Sequence, residues 1–380
     1  MTLVVAFLAP PTPGHVNPTL PLVRELVARG HRVRYVTGAA TAARIRRTGA
    51  ETIEFPLAVD DLVGGFSTTR MAEVLDVFVD RLRAVTPAIV ETLRADPPDL
   101  ICHNPAAVIG ASVATLLGVA DLRLATGFAE NARVSVADRM TAHGFDPQDA
   151  RLAAYERNAF LLCHDIAPPR DPAGTPTLVF IPRSFQLDGH TFDDTFTFVG
   201  PEPHRTPAAR NWTPPPGGDR VLYVSAPRRP DFHRLCVNAF TGTTWHVVLP
   251  VGDRTELTAP ANFEIAPRLP HRDVLRHAAA FVCQADMTEL MEALVAGVPV
   301  VALPLTPEQR LNAARLAELG AGSVGELATL TPADLRELAG RLVVDRAFGR
   351  TLERDFGPHT STGGARLAAD TVERHASAGR

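Results

Sequence analysis

The opening of the chain alternates a fully apolar segment with an amphipathic one, and this alternation restricts the fold more than any other feature. Residues 3–9 are apolar without interruption, which is typical of a strand buried on both faces of a sheet. Leucine and valine then recur at helical spacing over residues 20–27, Gly30 ends that helix, and residues 33–37 favour a second strand. A strand, a helix and a strand in this order predict a βαβ unit, and therefore a parallel sheet.

A proline-rich segment divides the sequence into two halves. Residues 201–219 cannot continue a helix or a strand, because proline lacks the amide hydrogen that both require. The alternation of strands and helices begins again after this segment. We therefore expect two α/β domains, at 1–205 and 219–380, joined by a linker at 206–218, with a C-terminal helix that returns to the first domain. Open α/β sheets bind ligands at the carboxyl ends of their strands, so a cleft between the domains is the expected site.

The composition excludes several classes of function. The formal net charge is −4 at pH 7, whereas a protein that binds nucleic acid usually carries a basic excess. No apolar run approaches the roughly 20 residues of a membrane-spanning helix, and the N-terminus lacks the basic region of a signal peptide. We therefore expect a cytoplasmic protein that binds neither nucleic acid nor membrane.

The reactive side chains narrow the chemistry further. The sequence contains no lysine, which excludes Schiff-base catalysis and a phosphate-binding P-loop. Its four cysteines are widely spaced and its 13 histidines are scattered. Neither a disulfide framework nor a metal site is predicted from such spacing.

Three motifs spread over nearly the whole chain resemble those of one enzyme family. Residues 14–18 are Gly-His-Val-Asn-Pro, residues 198–201 are Phe-Val-Gly-Pro, and residues 291–301 run from Met-Glu-Ala-Leu to Gly-Val-Pro-Val-Val. The chain thereby resembles the antibiotic glycosyltransferases of family one, of the macrolide and enediyne type. This resemblance implies the GT-B fold, an α/β fold of two Rossmann-like domains facing across a cleft. It also implies an acceptor site in the N-terminal domain and a nucleotide-sugar site in the C-terminal domain.

The resemblance assigns a general base to the first of these motifs. In the family the histidine of this turn removes the proton of the acceptor hydroxyl, and His15 occupies that position. A neutral imidazole suits that role near pH 7. The family orients the histidine with an aspartate after a later strand, where this chain has Asn104, and the adjacent His103 is a competing assignment. An amide can hold the imidazole by hydrogen bonding, but it cannot stabilise a positive charge on the ring.

The donor motif departs from the family pattern. The family carries His-Gly-Gly-x-Gly-Thr at the start of a helix that binds the diphosphate. Here Gln284, Ala285 and Asp286 replace the histidine and the two glycines. Asp286 and Glu289 have the spacing of a capping box, so we expect them to bond to the first amides of the helix. Their negative charges would also repel a diphosphate.

Other parts of the donor region are altered as well. The family's Ser-x-Gly-Thr turn has no counterpart after Ser225. The family's tryptophan platform for the nucleobase, and the glutamine three residues later, are replaced by Arg268 and His271. The pair that contacts the sugar is Glu308-Gln309 in place of Asp-Gln.

Three functions remain open on these residues. The favoured one is an enzyme of natural-product biosynthesis that no longer uses a nucleotide sugar and needs no cofactor. It would catalyse elimination, isomerisation or cyclisation with His15 as the base, oriented by Asn104, and with Asp286, Glu289 or Glu308 as the acid. The second is an inverting glycosyltransferase with an atypical donor site, which would use a TDP- or UDP-sugar. The third is a non-catalytic auxiliary or small-molecule-binding protein.

All three functions imply an apolar small molecule as substrate or ligand. Apolar segments cover the acceptor site in the family, although such stripes more often form core. We expect the substrate to contact three side chains on the acceptor side and three on the donor side: Phe66, Met71, Phe128, Gln284, Glu289 and Gln309. A homodimer or a complex with a partner enzyme is left open.

Overall fold

The computed structural model describes residues 2–59, 67–169, 174–201, 212–215, 220–225, 230–252, 258–357 and 363–378. The chain divides into two compact units. The first unit comprises Met1–Glu202 together with Gly363–Arg380, and the second comprises Pro203–Thr362.

A parallel sheet forms the centre of the first unit. Its described strands are β1 (Val4–Leu8), β2 (Arg32–Thr37), β3 (Glu51–Glu54), β4 (Leu100–His103), β5 (Ala120–Ala125), β6 (Thr177–Val179) and β7 (Phe196–Phe198). Their order across the sheet is β3-β2-β1-β4-β5-β6-β7. The order reverses between β1 and β4, which pair directly. Ligands of open α/β sheets bind outside the carboxyl ends of the strands at such a switch point.

Helices cover both faces of this sheet. They are α1 (Pro13–Val16), α2 (Leu20–Ala28), α3 (Ala39–Arg46), α4 (Thr68–Ala95), α5 (Gly110–Leu117), α6 (Val136–Thr141) and α7 (Ala150–Ile166). Alternate residues of a strand point to opposite faces, so Val5 and Phe7 of β1 join a core with α2, while Ala6 and Leu8 join a core with α4. Full burial of a side chain such as Phe7 stabilises the fold by about 1.5–3 kcal/mol. The strand predicted at residues 3–9 is therefore buried on both faces, as expected.

The second unit repeats this architecture. Its described strands are β8 (Arg220–Val224), β9 (Trp245–Pro250), β10 (Phe263–Ala266), β11 (Ala278–Cys283), β12 (Val300–Ala302) and β13 (Gly322–Val324). They form a parallel sheet in the order β10-β9-β8-β11-β12-β13, so the switch point lies between β8 and β11. The described helices are α8 (Pro230–Phe240), α9 (His271–Leu275), α10 (Met287–Val295), α11 (Pro307–Glu318), α12 (Pro332–Val344) and α13 (Arg346–Asp355). The predicted α/β class with two Rossmann-like domains is confirmed.

The last helix, α14 (Gly364–Ala378), packs against α2 of the first unit. Its buried Val372 joins the core on that face of the sheet. The guanidinium of Arg29 donates to Asp370 at 2.6 Å and to Glu373 at 3.1 Å, next to the buried contact. Glu373 also lies 2.8 Å from Nε2 of His31. Apolar burial and these ion pairs together hold the helix on the first unit.

Part of the predicted linker lies among the described residues. Trp212 donates its indole N–H to Glu264 of β10 at 2.8 Å, and its ring lies 5.7 Å from that of His277. This part of the linker is therefore fixed to the second unit. No helix of the described part of the chain combines the length and apolar character needed to cross a bilayer.

Candidate active site

His15 lies at the switch point of the first unit, in the short helix α1 that follows β1. Thr126, just beyond the end of β5, places Oγ1 3.3 Å from Nδ1 of the imidazole. The ring is half-buried, and desolvation lowers the pKa of His15 to about 4. The imidazole is therefore neutral at pH 7, which is the form that a general base requires.

Asn104 contacts the histidine through a neighbour. Its side-chain amide donates to Oγ1 of Thr126 at 3.2 Å and to the carbonyl of Leu124 at 3.0 Å. Its Oδ1 accepts from the amide of Ala106 at 2.9 Å. The expected direct bond between Asn104 and the imidazole is therefore wrong, because Thr126 stands between the two groups. Thr126 is the site residue that sequence reasoning missed.

The competing assignment, His103, points into the interior on the opposite face of the sheet. Its Nε2 lies 3.0 Å from Oδ2 of Asp121, and both side chains are buried. Gly110 of α5 packs so closely that a Cβ there would lie 2.3 Å from the Cβ of His103. His103 is thus a core residue in a buried pair, and Asn104 is the neighbour on the side of His15.

A cavity of about 200 Å³ opens beside His15 within the first unit. Phe128 lines it and stacks on Phe185 with ring centroids 5.7 Å apart. The buried Gln186 accepts from the amide of Ala129 and donates to its carbonyl, which fixes the loop after β5. The lining residues are His15, Asn104, Pro105, Ala106, Arg123, Leu124, Ala125, Thr126, Gly127, Phe128, Ala129, Glu130, Thr177 and Phe196.

The other two apolar residues of the predicted acceptor site stand apart from this list. Met71 packs against a small core cluster that contains Phe145 and Leu152. It therefore contributes to packing between α4 and its neighbours. Phe66 lies outside the described residues.

The predicted donor segment lies at the switch point of the second unit. Ser225 follows β8, and Gln284, Ala285 and Asp286 follow β11 directly. Ala285 has a φ of +67°, in the left-handed region that favours glycine. The left-handed backbone thus occurs where the resemblance places a glycine, although the residue here is alanine. Gln284 is half-buried.

The two carboxylates of the donor segment do not bond to the amides at the start of α10. Oδ1 of Asp286 accepts from Nε2 of Gln309 at 3.0 Å. Oε1 of Glu289 accepts from the hydroxyl of Ser225 at 2.9 Å. The side chain of Asp286, the N-cap of α10, makes no hydrogen bond to the first amides of the helix. The predicted capping by Asp286 and Glu289 is therefore wrong, because partners from neighbouring segments draw both side chains away.

Gln309 and Glu308 begin α11, but only Gln309 is held by the fold. Its Oε1 accepts from the amides of Leu305 and Thr306, which completes a capping box, and its Nε2 donates to Asp286. Glu308 is exposed in the same turn. Gln309 therefore positions Asp286 in addition to any contact with substrate.

Helix α10 carries two glutamates with opposite pKa shifts. Desolvation, followed by the charge of Asp286, raises the pKa of Glu289 to about 7. Burial also acts on Glu292, but its hydrogen bond to His271 and the charge of Arg272 outweigh that effect, and its pKa falls to about 2. Arg272 donates to Glu292 at 2.8 Å. At pH 7 Glu292 is thus a stable anion, whereas Glu289 is half protonated.

Among the described residues, no group of three or more His, Cys, Asp or Glu side chains could hold a metal ion. The first unit thus presents a neutral histidine beside a cavity, and the second unit presents a helix N-terminus with neighbouring carboxylates.

Comparisons with known proteins identify relatives of this chain. A family profile described as "UDP-glucoronosyl and UDP-glucosyl transferase" matches residues 252–351. The NDP-glycosyltransferase YjiC of Bacillus licheniformis is 31% identical, over 97% of this chain and 96% of its own length. The demethyllactenocin mycarosyltransferase of Streptomyces fradiae is 31% identical, over 97% of this chain and 86% of its own length.

Solved structures of glycosyltransferases are also similar to this chain. The calicheamicin glycosyltransferase CalG4 superposes with a TM-score of 0.84 at 32% identity, and 98% of each chain is covered. The glycosyltransferase of kitacinnamycin superposes with a TM-score of 0.85 at 29% identity, and 99% of each chain is covered. These relatives carry names of glycosyltransferases and lend no support to an acid–base reaction without a sugar donor.

Proposed function

This chain belongs to the family-one glycosyltransferases of GT-B fold, and from this premise we propose that it transfers a sugar from a nucleotide-sugar donor to a hydroxyl of an apolar small molecule. The acceptor is of the natural-product class on which antibiotic glycosyltransferases act. The proposal replaces the acid–base reaction that the sequence favoured, and it retains His15 as the base.

The observation that carries the proposal is the uncapped N-terminus of α10. The sequence suggested that Asp286 and Glu289 occupy the first amides of this helix. Instead, Gln309 and Ser225 hold the two carboxylates, and no described side chain caps the helix. Free amides at a helix N-terminus form a site for a phosphate group, and the helix dipole favours its negative charge.

The left-handed backbone at Ala285 supports the same function. A residue in this region with a Cβ is strained by about 1–2 kcal/mol relative to a right-handed one. Ala285 nonetheless keeps a φ of +67°, and its carbonyl accepts from the side chain of Asn312 at 3.0 Å. Such strain persists where the surrounding structure over-determines a functional backbone. We infer that the turn is kept because it directs the α10 amides toward a diphosphate.

The chemistry in the first unit is that of an inverting transfer. Neutral His15 accepts the proton of the acceptor hydroxyl as the oxygen attacks the anomeric carbon of the sugar. The bond between that carbon and the diphosphate oxygen breaks, and the nucleoside diphosphate leaves with the electron pair. Thr126 keeps the imidazole in place while the proton moves. The α10 amides stabilise the charge that develops on the leaving diphosphate.

Two measurements test this function. Calorimetric titration of the full chain with UDP and with TDP should give a dissociation constant below about 100 µM for at least one of them. Incubation with UDP- and TDP-sugars and a panel of hydroxylated apolar acceptors should release nucleoside diphosphate in step with a glycosylated product. Absence of binding by both nucleotides would favour the acid–base reaction or the non-catalytic alternative.

A further inference from the structure

One cation in the cavity beside His15 has no described partner. Arg123 of β5 lines this cavity and is half-buried. Its cross-strand neighbours are His103 of β4 and Thr177 of β6. Its guanidinium makes no hydrogen bond or ion pair with any residue that the structure describes. Burial lowers the pKa of Arg123, which reflects the loss of water around a charged group.

The two carboxylates whose charges act on Arg123 are bonded to other groups. Asp121 lies 3.0 Å from the ring of His103 as its buried partner. Glu130 accepts from the amide of Val136 at 2.7 Å, at the start of α6. Both charges attract Arg123, yet neither forms an ion pair with it within the described part of the chain.

The guanidinium nitrogens are accessible. None of them is among the buried polar atoms of the described residues that lack a hydrogen bond. The unpaired nitrogens of Arg123 are therefore exposed, and Arg123 is among the residues that line the cavity. His15 in the same cavity is neutral at pH 7, so Arg123 is the one cation among the described residues that line it.

A half-buried arginine in a cavity whose lining includes aromatic rings favours one chemical group. Its planar fork of N–H donors matches a carboxylate, which accepts two parallel hydrogen bonds. The aromatic rings of Phe128 and Phe196 line the same cavity and suit the apolar body of a ligand.

We propose that Arg123 selects acceptors that carry a carboxylate, binding that group while the acceptor hydroxyl is offered to His15. The acceptor class is thus a hydroxylated apolar carboxylic acid. This inference rests on the proposed function for the role of the hydroxyl, but the binding of the carboxylate can be measured without any sugar transfer.

The test compares two probes that differ in a single charge. 6-Hydroxy-2-naphthoate and 6-hydroxy-2-naphthamide share a hydroxyl and an apolar ring system, and only the first carries a carboxylate. Each is titrated into the full chain by calorimetry at pH 7, without nucleotide. The wild-type protein should bind the acid about 10-fold to 100-fold more tightly than the amide, the range expected for charge-assisted hydrogen bonds.

Two variants separate the pocket from the overall charge. Arg123→Gln should abolish the preference for the acid, and Arg123→Lys should retain part of it, because a lysine keeps the charge without the fork. Arg133→Gln removes the same charge from an exposed position in the following loop and should leave the preference unchanged. Far-UV circular dichroism confirms that each variant is folded.

Three results would overturn the inference. They are equal affinity of the wild-type chain for both probes, failure to bind either, and a preference that survives Arg123→Gln. A chain that prefers the acid but transfers no sugar to any acceptor would contradict the proposed function alone. The two failures are therefore distinguishable.

Discussion

The switch points of the two sheets hold their titratable groups in different ways. In the first unit, His15 contacts the neutral hydroxyl of Thr126, and burial lowers its pKa to about 4. In the second unit, Glu289 accepts a hydrogen bond from Ser225, and burial raises its pKa to about 7. Both environments favour the uncharged form of the group. At neutral pH the unprotonated His15 of the first unit can accept a proton, whereas the charge on Glu289 of the second unit depends on pH.

The largest expected effect tests the base in the first unit. His15→Ala should lower kcat by about 10²–10⁴, the usual contribution of a general acid–base group. His15→Asn should behave like His15→Ala, because an amide can accept a hydrogen bond but is not basic. Steady-state kinetics of sugar transfer with the wild type and both variants measure the loss.

The control for this change lies in the second unit. UDP or TDP affinity should stay within a few fold of the wild-type value in His15→Ala, because the proposed diphosphate site is in the other unit. Full activity in His15→Ala would exclude His15 as the base and direct attention to Asp286, Glu289 and Glu308.

The second prediction sets two glutamates of one helix against each other. The pKa of Glu292 lies below its ordinary value of 4.5, so its carboxylate stabilises the fold above pH 4.5, and this stability is lost as the pH falls toward 2. The pKa of Glu289 lies above 4.5, so its ionisation destabilises the fold as the pH rises from 4.5 to 7. Glu292→Gln should therefore cost about 3 kcal/mol, because it leaves the guanidinium of Arg272 without its anion.

Urea unfolding at pH 5, 6, 7 and 8 separates the two glutamates. The difference in unfolding free energy between Glu289→Gln and wild type should shift in favour of the variant as the pH rises. The corresponding difference for Glu292→Gln should stay constant over the same range. A flat profile for Glu289→Gln would mean that Glu289 titrates near its ordinary pKa.

The third prediction concerns the hydrogen-bonded relay that runs from Asn104 through Thr126 to His15. Thr126→Val removes the hydroxyl that contacts the imidazole and should lower kcat about 5-fold, whereas Thr126→Ser should restore it, since one hydrogen bond contributes about 1 kcal/mol. Asn104→Ala should cost less than His15→Ala, because Asn104 acts only through Thr126.

The pH profile shows whether the relay positions the base or only supports the loop. With a pKa of about 4 for His15, kcat/KM should stay constant as the pH is lowered to about 5. Asn104→Asp places a negative charge near the imidazole and should raise its pKa, so the fall in kcat/KM should begin at higher pH. An unchanged pH profile in Asn104→Asp would argue against an electrostatic interaction between residue 104 and the imidazole of His15.

The architecture was predicted well from the sequence, because a strand buried on both faces of a sheet is an uninterrupted run of apolar residues. The apolar run at residues 3–9 gave β1, and the break after the first half was visible as prolines. His15 was singled out by the motif around it, since a turn at a strand end is a local feature. The structure places it beside a cavity, and its role as the base stays a prediction.

Contacts between distant residues could not be predicted in this way. Thr126 is 111 residues from His15, and Ser225 is 64 residues from Glu289. The spacing of Asp286 and Glu289 satisfies a capping box, so local reasoning favoured one. The fold instead supplies Gln309 and Ser225 as competing partners, and only the three-dimensional structure reveals that competition.

The smallest expected effect tests whether the turn before α10 is strained. Ala285→Gly removes a buried methyl group, which costs about 0.8 kcal/mol, and adds flexibility to the unfolded chain, which costs about 0.4–1 kcal/mol. Relief of a left-handed alanine returns about 1–2 kcal/mol. The free energy of unfolding should therefore change by less than about 1 kcal/mol, even though Ala285 is fully buried.

Ala293→Gly is the matched control, because Ala293 is also fully buried but lies within α10. It loses the same methyl group and about 0.8–1 kcal/mol of helix propensity, with no strain to relieve. Chemical denaturation should thus show Ala293→Gly to be less stable than Ala285→Gly by at least about 1 kcal/mol. Equal losses in the two variants would mean that Ala285 is unstrained. The turn could then no longer be used to argue that the second unit keeps its diphosphate site, and the uncapped N-terminus of α10 would have to support that function alone.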